Sequence, residues 1–128
     1  MIKGIGTDIV EIRRLEQATQ RYGSAFLQRL FTPAEMEYCE GKWRRFESYA
    51  ARFSAKEAFL KALGTGGRDG ISWQDMEVVR DERGRPDLVL RGNALEMARG
   101  RGVARVFLSL SHTSEMAMAT IVLEGNEE

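Results

Sequence analysis

The chain has 128 residues, of which 43% are hydrophobic and 30% charged, and its formal net charge at pH 7 is zero. This length suits one compact domain over residues 1–128 and leaves little room for a second core. No apolar run is as long as a membrane span, and the first ten residues lack the order of a signal peptide. The sequence therefore predicts a cytoplasmic protein with no membrane partner. Its single cysteine, Cys39, is interpreted as a small, partly buried residue of a reducing compartment.

The cations are mostly arginine. Lysine occurs at positions 3, 42, 56 and 61, so arginine supplies the other 15 of the 19 cations. Arginine favours bidentate binding of carboxylate and phosphate, which makes a nucleotide- or RNA-binding module one alternative. RNA-binding sheets usually expose aromatic side chains. Because the aromatic residues here are predicted for the core, no nucleic-acid partner is expected; they are Phe46, Phe53, Phe59 and Phe107.

The first forty residues predict one strand and three helical segments. The first elements are a strand at 2–10, a helix at 11–22 that ends at Gly23, and a short helical piece at 25–30. The strand contains Gly4 and Gly6, which let another backbone approach closely. The letters TPAE, beginning at Thr32, form a capping box that opens a helix to about residue 40.

The rest of the chain predicts a long helix, a shorter helix and two hairpins. These elements are a helix at 43–63, two strands within 72–90 around the turn DERGRP, a helix at 93–99, and a hairpin that turns at 112–115. Gly64 is expected to close the long helix in the left-handed conformation. Inward candidates of the first hairpin are Met76, Val78, Leu88 and Leu90. Early helices and late hairpins indicate an α+β fold with helices packed on a small antiparallel sheet.

The long helix carries a carboxylate where its apolar stripe predicts a core residue. Steps of three and four residues give Phe46, Ala50, Phe53, Glu57, Leu60 and Gly64. A buried carboxylate needs a cation, a metal or water beside it. Lys56 flanks Glu57 on the same face, and Lys61 is in position for an i, i+4 pair with it. A solvated ion pair is the alternative to a functional site.

A second carboxylate, Asp8, interrupts the apolar first strand. It is either the N-cap of the following helix or the partner of Glu57 in a site. Two carboxylates with open water positions suit Mg²⁺ bound to a phosphorylated substrate. The sequence contains no cluster of His or Cys that would indicate zinc instead.

Two further features suit an anion. His112 is predicted at a strand end beside the hydroxyls of Ser111 and Thr113, and it is either structural or part of an anion site. The letters GTGG at 64–67 allow backbone N–H groups to approach a phosphate. Because a helix C-terminus carries the wrong dipole end for an anion, this loop needs Lys61 or an arginine nearby.

Three motifs resemble those of one enzyme family, the holo-[acyl-carrier-protein] synthases, which are the small bacterial 4'-phosphopantetheinyl transferases. IGTDIVEIRR at 5–14 resembles the opening G-x-D-x-x-E-x-x-R motif. RFSAKEAFLKALGTG at 52–66 resembles the central F-x-x-K-E-A-x-x-K-A signature, and SLSHT at 109–113 resembles the closing S-x-S-H element. The resemblance spans nearly the whole chain and implies a 4'-phosphopantetheinyl transferase-like fold and a homotrimer with active sites between subunits.

The resemblance also implies a reaction. It is the Mg²⁺-dependent transfer of phosphopantetheine from coenzyme A to a serine of apo acyl carrier protein, leaving adenosine 3',5'-bisphosphate and supporting fatty acid biosynthesis. By position, Asp8 and Glu57 match the Mg²⁺ ligands, and Lys61 matches the lysine near the pyrophosphate. The base that takes the serine proton is either Glu57 or a metal-bound water. A Mg²⁺-dependent hydrolase of nucleoside diphosphates is a further alternative.

Binding residues follow from the same resemblance. Those implied to bind coenzyme A are Arg52, Lys56, Lys61, Gly64, Thr65, Gly66, Pro86, His112 and Thr113. Residues 84–86 match a loop close to the adenine. Arg13, Arg14 and Arg21 match the basic first helix that meets the acidic carrier protein.

Overall fold

Helices pack on one face of a small antiparallel sheet in the computed structural model, which describes residues 1–65 and 69–127. The strands are β1 (Ile2–Glu11), β2 (Met76–Arg80), β3 (Pro86–Leu90), β4 (Arg105–His112) and β5 (Met116–Glu124). The helices are α1 (Ile12–Tyr22), α2 (Ser24–Leu30), α3 (Pro33–Glu40), α4 (Arg45–Leu63) and α5 (Gly92–Gly100), with a 3-10 turn at Trp73–Asp75. The predicted α+β class is confirmed.

The strands form two separate antiparallel sheets. One has the order β1-β5-β4, so the first strand of the chain pairs with the last. The other is the β2-β3 hairpin. In the larger sheet Asp8 lies opposite Ala119, and His112 lies opposite Ala117. The register therefore brings the first motif of the chain and its last motif into one sheet.

The two glycines of β1 allow this strand to lie directly on the backbone of α4. A Cβ atom at Gly6 would lie 2.1 Å from the carbonyl oxygen of Ala58, and one at Gly4 would lie 2.1 Å from that of Ala62. A side chain at either position would force strand and helix apart. Because alternate residues of a strand share a face, Asp8 lies on this same side, facing α4.

Helix α4 is the central element of the fold. More of its surface is buried than the single apolar stripe predicted from the sequence. Strands β1, β5 and β2 and helices α1 and α3 all contact it. Its small residues Ala55, Ala58 and Ala62 lie in the core, whereas Phe53 and Glu57 are half-buried at its edge. The stripe of aromatic residues and Glu57 thus marks the margin of the core, because the helix is covered on several sides.

The ends of the helices follow their local signals. Thr32 and Glu35 form the predicted capping box, and Gly64 closes α4 in the left-handed conformation with φ 79°. Helix α4 begins at Arg45, two residues later than predicted, and the preceding Trp43 is almost fully exposed. Local capping chemistry is therefore readable from the sequence here.

The prediction that Phe107 lies in the core is wrong. Phe107 is partly exposed, on the face of β4 that points away from α4. The sheet has helices on one face, so the outer side chains of its strands stay in solvent. Apolar residues share this outer face; they include Ile5, Ile9, Phe107 and Met118.

Cys39 is more deeply buried than the sequence predicted. Cys39 is fully buried, and burial raises the pKa of its thiol to about 12. Cys39 is therefore a packing residue with an unreactive thiol.

Among the described residues, none of the helices is both long and apolar enough to span a membrane.

Candidate active site

Asp8 and Glu57, which are 49 positions apart in the sequence, line the same cleft. The cleft has a volume of about 490 Å³ and lies between β1, α1 and α4. Apolar walls surround the carboxylates, among them Phe26, Phe53 and Met116. Apolar walls strengthen the electrostatic interactions of a charged group that binds between them.

Asp8 reaches the cleft from the strand and does not cap the helix. The N-cap residue of α1 is Glu11, and no side chain makes a capping hydrogen bond there. Asp8 is paired in the β1-β5 ladder, and its side chain faces α4. The N-cap alternative is therefore wrong, and Asp8 is available to a site on this side of the sheet.

Lys61 supplies the cation that the sequence predicted for this region. Its ammonium nitrogen donates to Asp8 Oδ1 at 2.8 Å and to the Thr7 carbonyl at 3.1 Å. The lysine side chain is half-exposed, whereas that of Asp8 is largely covered. Salt bridges exposed to this degree contribute at most about 1 kcal/mol, so Lys61 can exchange Asp8 for another anion at little cost.

The donor set suits an open magnesium site. Across residues 1–65 and 69–127 there is no group of three or more His, Cys, Asp or Glu side chains arranged to hold a metal. Mg²⁺ usually takes one or two protein carboxylates and completes its octahedron with water and substrate phosphate. Asp8 and Glu57 in one cleft provide those two carboxylates.

Lys56 does not lie on the face of Glu57, so that interpretation is wrong. Its ammonium nitrogen is buried and donates to Glu35 Oε1 at 2.6 Å, to the Leu30 carbonyl at 2.7 Å and to the Trp73 carbonyl at 3.2 Å. Burial lowers the pKa of Lys56, and the neighbouring Glu35 carboxylate opposes this shift. Contact of Lys56 with coenzyme A stays a prediction. The structure does not favour this contact, because the ammonium group is in the interior and already has three protein acceptors.

Arg52 is also buried, one turn before Lys56 on α4. Its guanidinium lies over the ring of Tyr38, with Cζ 4.2 Å from the ring centroid, and Nη1 donates to the Ser48 carbonyl at 3.4 Å. Its Nε has no hydrogen-bond partner among the described residues. A buried guanidinium N–H without a hydrogen bond is costly. Contact of Arg52 with coenzyme A stays a prediction, which a side chain that is 2% exposed in the single chain does not favour.

His112 and Thr113 lie outside the cleft of Asp8 and Glu57. His112 is exposed at the end of β4, with Nδ1 3.9 Å from Glu47 Oε1 at the start of α4. The hydroxyl of Thr113 accepts hydrogen bonds from the backbone N–H groups of Glu115 and Met116 and so shapes the β4-β5 turn. Within one chain, the closing motif is therefore near the N-terminal end of α4, and the two carboxylates are farther along the helix.

The remaining predicted binding residues are at two other places. Gly64 and Thr65 end α4, while Gly66 lies outside the described residues. The Nη1 atom of Arg101 is 3.6 Å from the position that a Cβ of Gly64 would take, so an arginine does lie beside this loop. Pro86 lines a separate groove of about 590 Å³ between β3 and β4.

The structure shows two placements that the sequence did not predict. Arg14 lines the cleft beside Asp8 and Glu57, whereas the sequence indicated a role for it on the helix surface alone. Glu35 was interpreted as a capping residue, and it is also the buried counter-ion of Lys56. No sequence spacing indicates that pairing, because the two residues are 21 positions apart.

With this geometry established, comparison with known proteins identifies the family. A family model described as the 4'-phosphopantetheinyl transferase superfamily matches residues 4–113. A holo-[acyl-carrier-protein] synthase of Geobacter sp. (strain M21) is 55% identical over 124 residues, which cover 97% of this chain and 99% of the relative. The chain belongs to the 4'-phosphopantetheinyl transferase superfamily.

Solved structures of the family agree with this fold. The crystal structure of holo-[acyl-carrier-protein] synthase from Neisseria meningitidis is 38% identical and has a TM-score of 0.88, with coverage of 97% of this chain and 99% of that one. That of Helicobacter pylori holo-[acyl-carrier-protein] synthase in complex with coenzyme A is 31% identical, with a TM-score of 0.82 and coverage of 94% and 99%. The predicted family, fold and enzyme class, a phosphopantetheinyl transferase, are confirmed.

Proposed function

We propose that this protein transfers the 4'-phosphopantetheine group from coenzyme A to a serine of apo acyl carrier protein with the help of Mg²⁺. The products are holo acyl carrier protein and adenosine 3',5'-bisphosphate. The reaction serves fatty acid biosynthesis in the cytoplasm. Family membership supports the reaction type, and the cleft of Asp8 and Glu57 is the observation that carries the assignment to residues of this chain.

Phosphoryl transfer depends on positioning and charge neutralisation more than on covalent help from the protein. Mg²⁺ held by Asp8 and Glu57 would neutralise charge on the pyrophosphate of coenzyme A. In the single chain, the Lys61 ammonium group already donates a hydrogen bond to Asp8, one of these two carboxylates. When the substrate binds, Lys61 turns to the phosphate oxygens and offsets the charge that develops on the leaving group.

The serine oxygen of the carrier protein attacks the phosphorus that bears pantetheine, the P–O bond to the adenosine-side phosphate breaks so that adenosine 3',5'-bisphosphate leaves, and the serine hydroxyl gives up its proton. A carrier protein bound over this open cleft, together with apolar walls such as Phe53, would exclude the water that competes with that serine. The base that takes this proton is either Glu57 or a water that the metal would hold. Water exclusion separates this function from the alternative of a hydrolase, which would release phosphopantetheine without any carrier protein.

The acidic carrier protein docks on α1. Arg13, Arg14 and Arg21 are exposed on this helix, and Arg14 also lines the cleft. Clustered surface arginines attract an acidic partner and increase the association rate at low salt. A carrier protein held by Arg14 would present its serine at the edge of the same cleft, which links docking to chemistry.

Coenzyme A extends beyond the cleft of a single chain. Its proposed contacts are Arg52, Gly64, Thr65, His112 and Thr113, with Pro86 near the adenine. Within one chain His112 lies beside Glu47 and outside the cleft of Asp8, so we propose that the His112 of a second subunit completes the site. This arrangement supports a homotrimer with active sites between subunits.

The outer face of the larger sheet supplies a surface for this assembly. Ile5 lies opposite Val122, which in turn lies opposite Phe107, and Ile9 lies opposite Met118. Ile5 and Ile9 are 68% and 60% exposed in the single chain. Contiguous exposed apolar side chains favour association, so we propose that this face meets the other subunits.

Mass spectrometry of apo acyl carrier protein tests the function. We expect incubation with this protein, coenzyme A and Mg²⁺ to add the mass of one phosphopantetheine, and EDTA to prevent it. Glu57→Gln should abolish the gain, while Glu96→Gln, on the exposed face of α5, should leave it unchanged. Free phosphopantetheine without modified carrier protein would instead establish a hydrolase.

A further inference from the structure

The interior next to the cleft contains a network of charged residues that the proposed reaction does not use. Lys56 and Glu35, whose side chains are both 0% exposed, form its centre. An ammonium group has three N–H donors, and all three of Lys56 have acceptors, on α2, on α3 and on the 3-10 turn. This lysine therefore ties α4 to three separate segments of the chain.

Glu35 extends the network to the second sheet. Its Oε1 accepts from the backbone N–H of Thr32 at 3.0 Å, and its Oε2 accepts from the backbone N–H of Val78 at 2.8 Å. The Thr32 hydroxyl donates to Glu77 at 2.5 Å, and Glu77 is paired with Arg91 at 2.8 Å. Every polar group named here has a partner, which is the condition under which a buried network confers rigidity.

Lys56 immediately precedes Glu57 on α4. Successive side chains of a helix point about 100° apart, so the three contacts of Lys56 determine the rotation of the helix about its axis. The glycine contacts of β1 determine the separation between α4 and the strand that carries Asp8. Together they set where the Glu57 carboxylate lies relative to Asp8.

A second connection runs through Trp73. The carbonyl of Trp73 accepts from Lys56, and its ring lies 5.3 Å from that of Phe53. Phe53 lines the cleft beside Glu57. One interior ammonium thus restrains both a carboxylate and an apolar wall of the candidate active site.

We propose that Lys56 is a positioning residue of the transferase: its buried contacts with Glu35, Leu30 and Trp73 hold α4 in the rotation that presents Glu57 to Asp8. The inference rests on the proposed function, since it takes Glu57 as a metal ligand. Residues that orient metal ligands typically change metal affinity 10- to 100-fold when they are replaced. We expect an effect at the lower end of that range, because Lys56 acts through the helix backbone.

Mn²⁺ binding followed by electron paramagnetic resonance tests this role without relying on activity. We expect Lys56→Met to weaken Mn²⁺ binding about tenfold, whereas Lys3→Met, the same change outside the network, should have no effect. Glu35→Gln keeps the shape of the partner and should weaken binding in the same direction. If circular dichroism shows that Lys56→Met does not fold, Glu35→Gln is used for the test instead.

A mutant cycle separates positioning from general destabilisation. If Lys56 acts through Glu57, its replacement should change nothing further in a Glu57→Gln background and should keep its effect in an Asp8→Asn background. An equal loss in both backgrounds, or wild-type Mn²⁺ binding by folded Lys56→Met and Glu35→Gln variants, would overturn the inference. Wild-type Mn²⁺ binding by Glu57→Gln itself would instead overturn the metal assignment of the proposed function, and the positioning role with it.

Discussion

Two lysine–carboxylate pairs on helix α4, five residues apart, have the same chemistry and opposite surroundings. Lys56 and Glu35 are 2.6 Å apart, and both side chains are 0% exposed. Lys61 and Asp8 are 2.8 Å apart, with exposures of 54% and 15%. The first pair cannot separate without leaving a buried charge, whereas the second can exchange partners in solvent. Burial therefore fixes Lys56 in the interior, whereas Lys61 stays exposed beside Asp8, which lines the cleft.

The contact between β1 and α4 sets the separation between Asp8 and the helix that carries both lysines, and disrupting it should have the largest effect. We expect Gly6→Ala to cost about 5 kcal/mol of unfolding free energy or to prevent folding, because its Cβ would lie 2.1 Å from the Ala58 carbonyl oxygen. Gly100→Ala, where an added Cβ meets nothing within 4 Å, is the matched control. Urea unfolding measures both variants, and equal stability would contradict the packing argument.

Replacing each lysine by methionine tests the comparison itself. We expect Lys56→Met to lower the unfolding free energy by about 3 kcal/mol, because Glu35 is left buried and unpaired. Lys61→Met should cost less than about 1 kcal/mol and yet slow transfer about 100-fold. Urea unfolding and initial rates of carrier-protein modification give the two quantities. A larger stability loss for Lys61→Met than for Lys56→Met would reverse the assignment of the two pairs.

A smaller effect is expected for Arg14, the exposed cation of the cleft. Arg14→Glu should raise the KM for acyl carrier protein about tenfold, or about 1.4 kcal/mol, and by more than it raises the KM for coenzyme A, whose pyrophosphate would lie in the same cleft. The increase should diminish as salt screens the repulsion. Arg99→Glu, on α5, serves as the control for a change in net charge. An unchanged KM at low salt would place carrier-protein docking elsewhere.

Much of the fold was predictable, because the signals were local. The capping box at Thr32, the left-handed end of α4 at Gly64 and the turn of the first hairpin depend on backbone chemistry within a few residues. The close approach of another backbone to Gly4 and Gly6 was predictable as well, since such contact is the main reason for glycine inside a strand. The identity of the approaching helix was not.

For the candidate site, the sequence was informative about residue types and less so about surroundings. Asp8 and Glu57 were predicted as partners from their chemistry and from resemblance to a family, and they do line one cleft. Lys56 was predicted on the face of Glu57 and lies in the interior. Only the second prediction concerned neighbours on one helix, and it was wrong because periodicity describes a face of a helix without describing what covers that face.

Signals in the sequence predicted the helices and strands, some of their ends, the family and the pair of carboxylates. Tertiary structure alone decided that Lys56 pairs with Glu35, that Lys61 reaches Asp8, that Arg14 joins the cleft and that Phe107 is partly exposed. The reason is the range of the forces. Capping, φ preferences and periodicity act over a few residues, whereas burial and the choice of a counter-ion depend on segments that become neighbours when the chain folds.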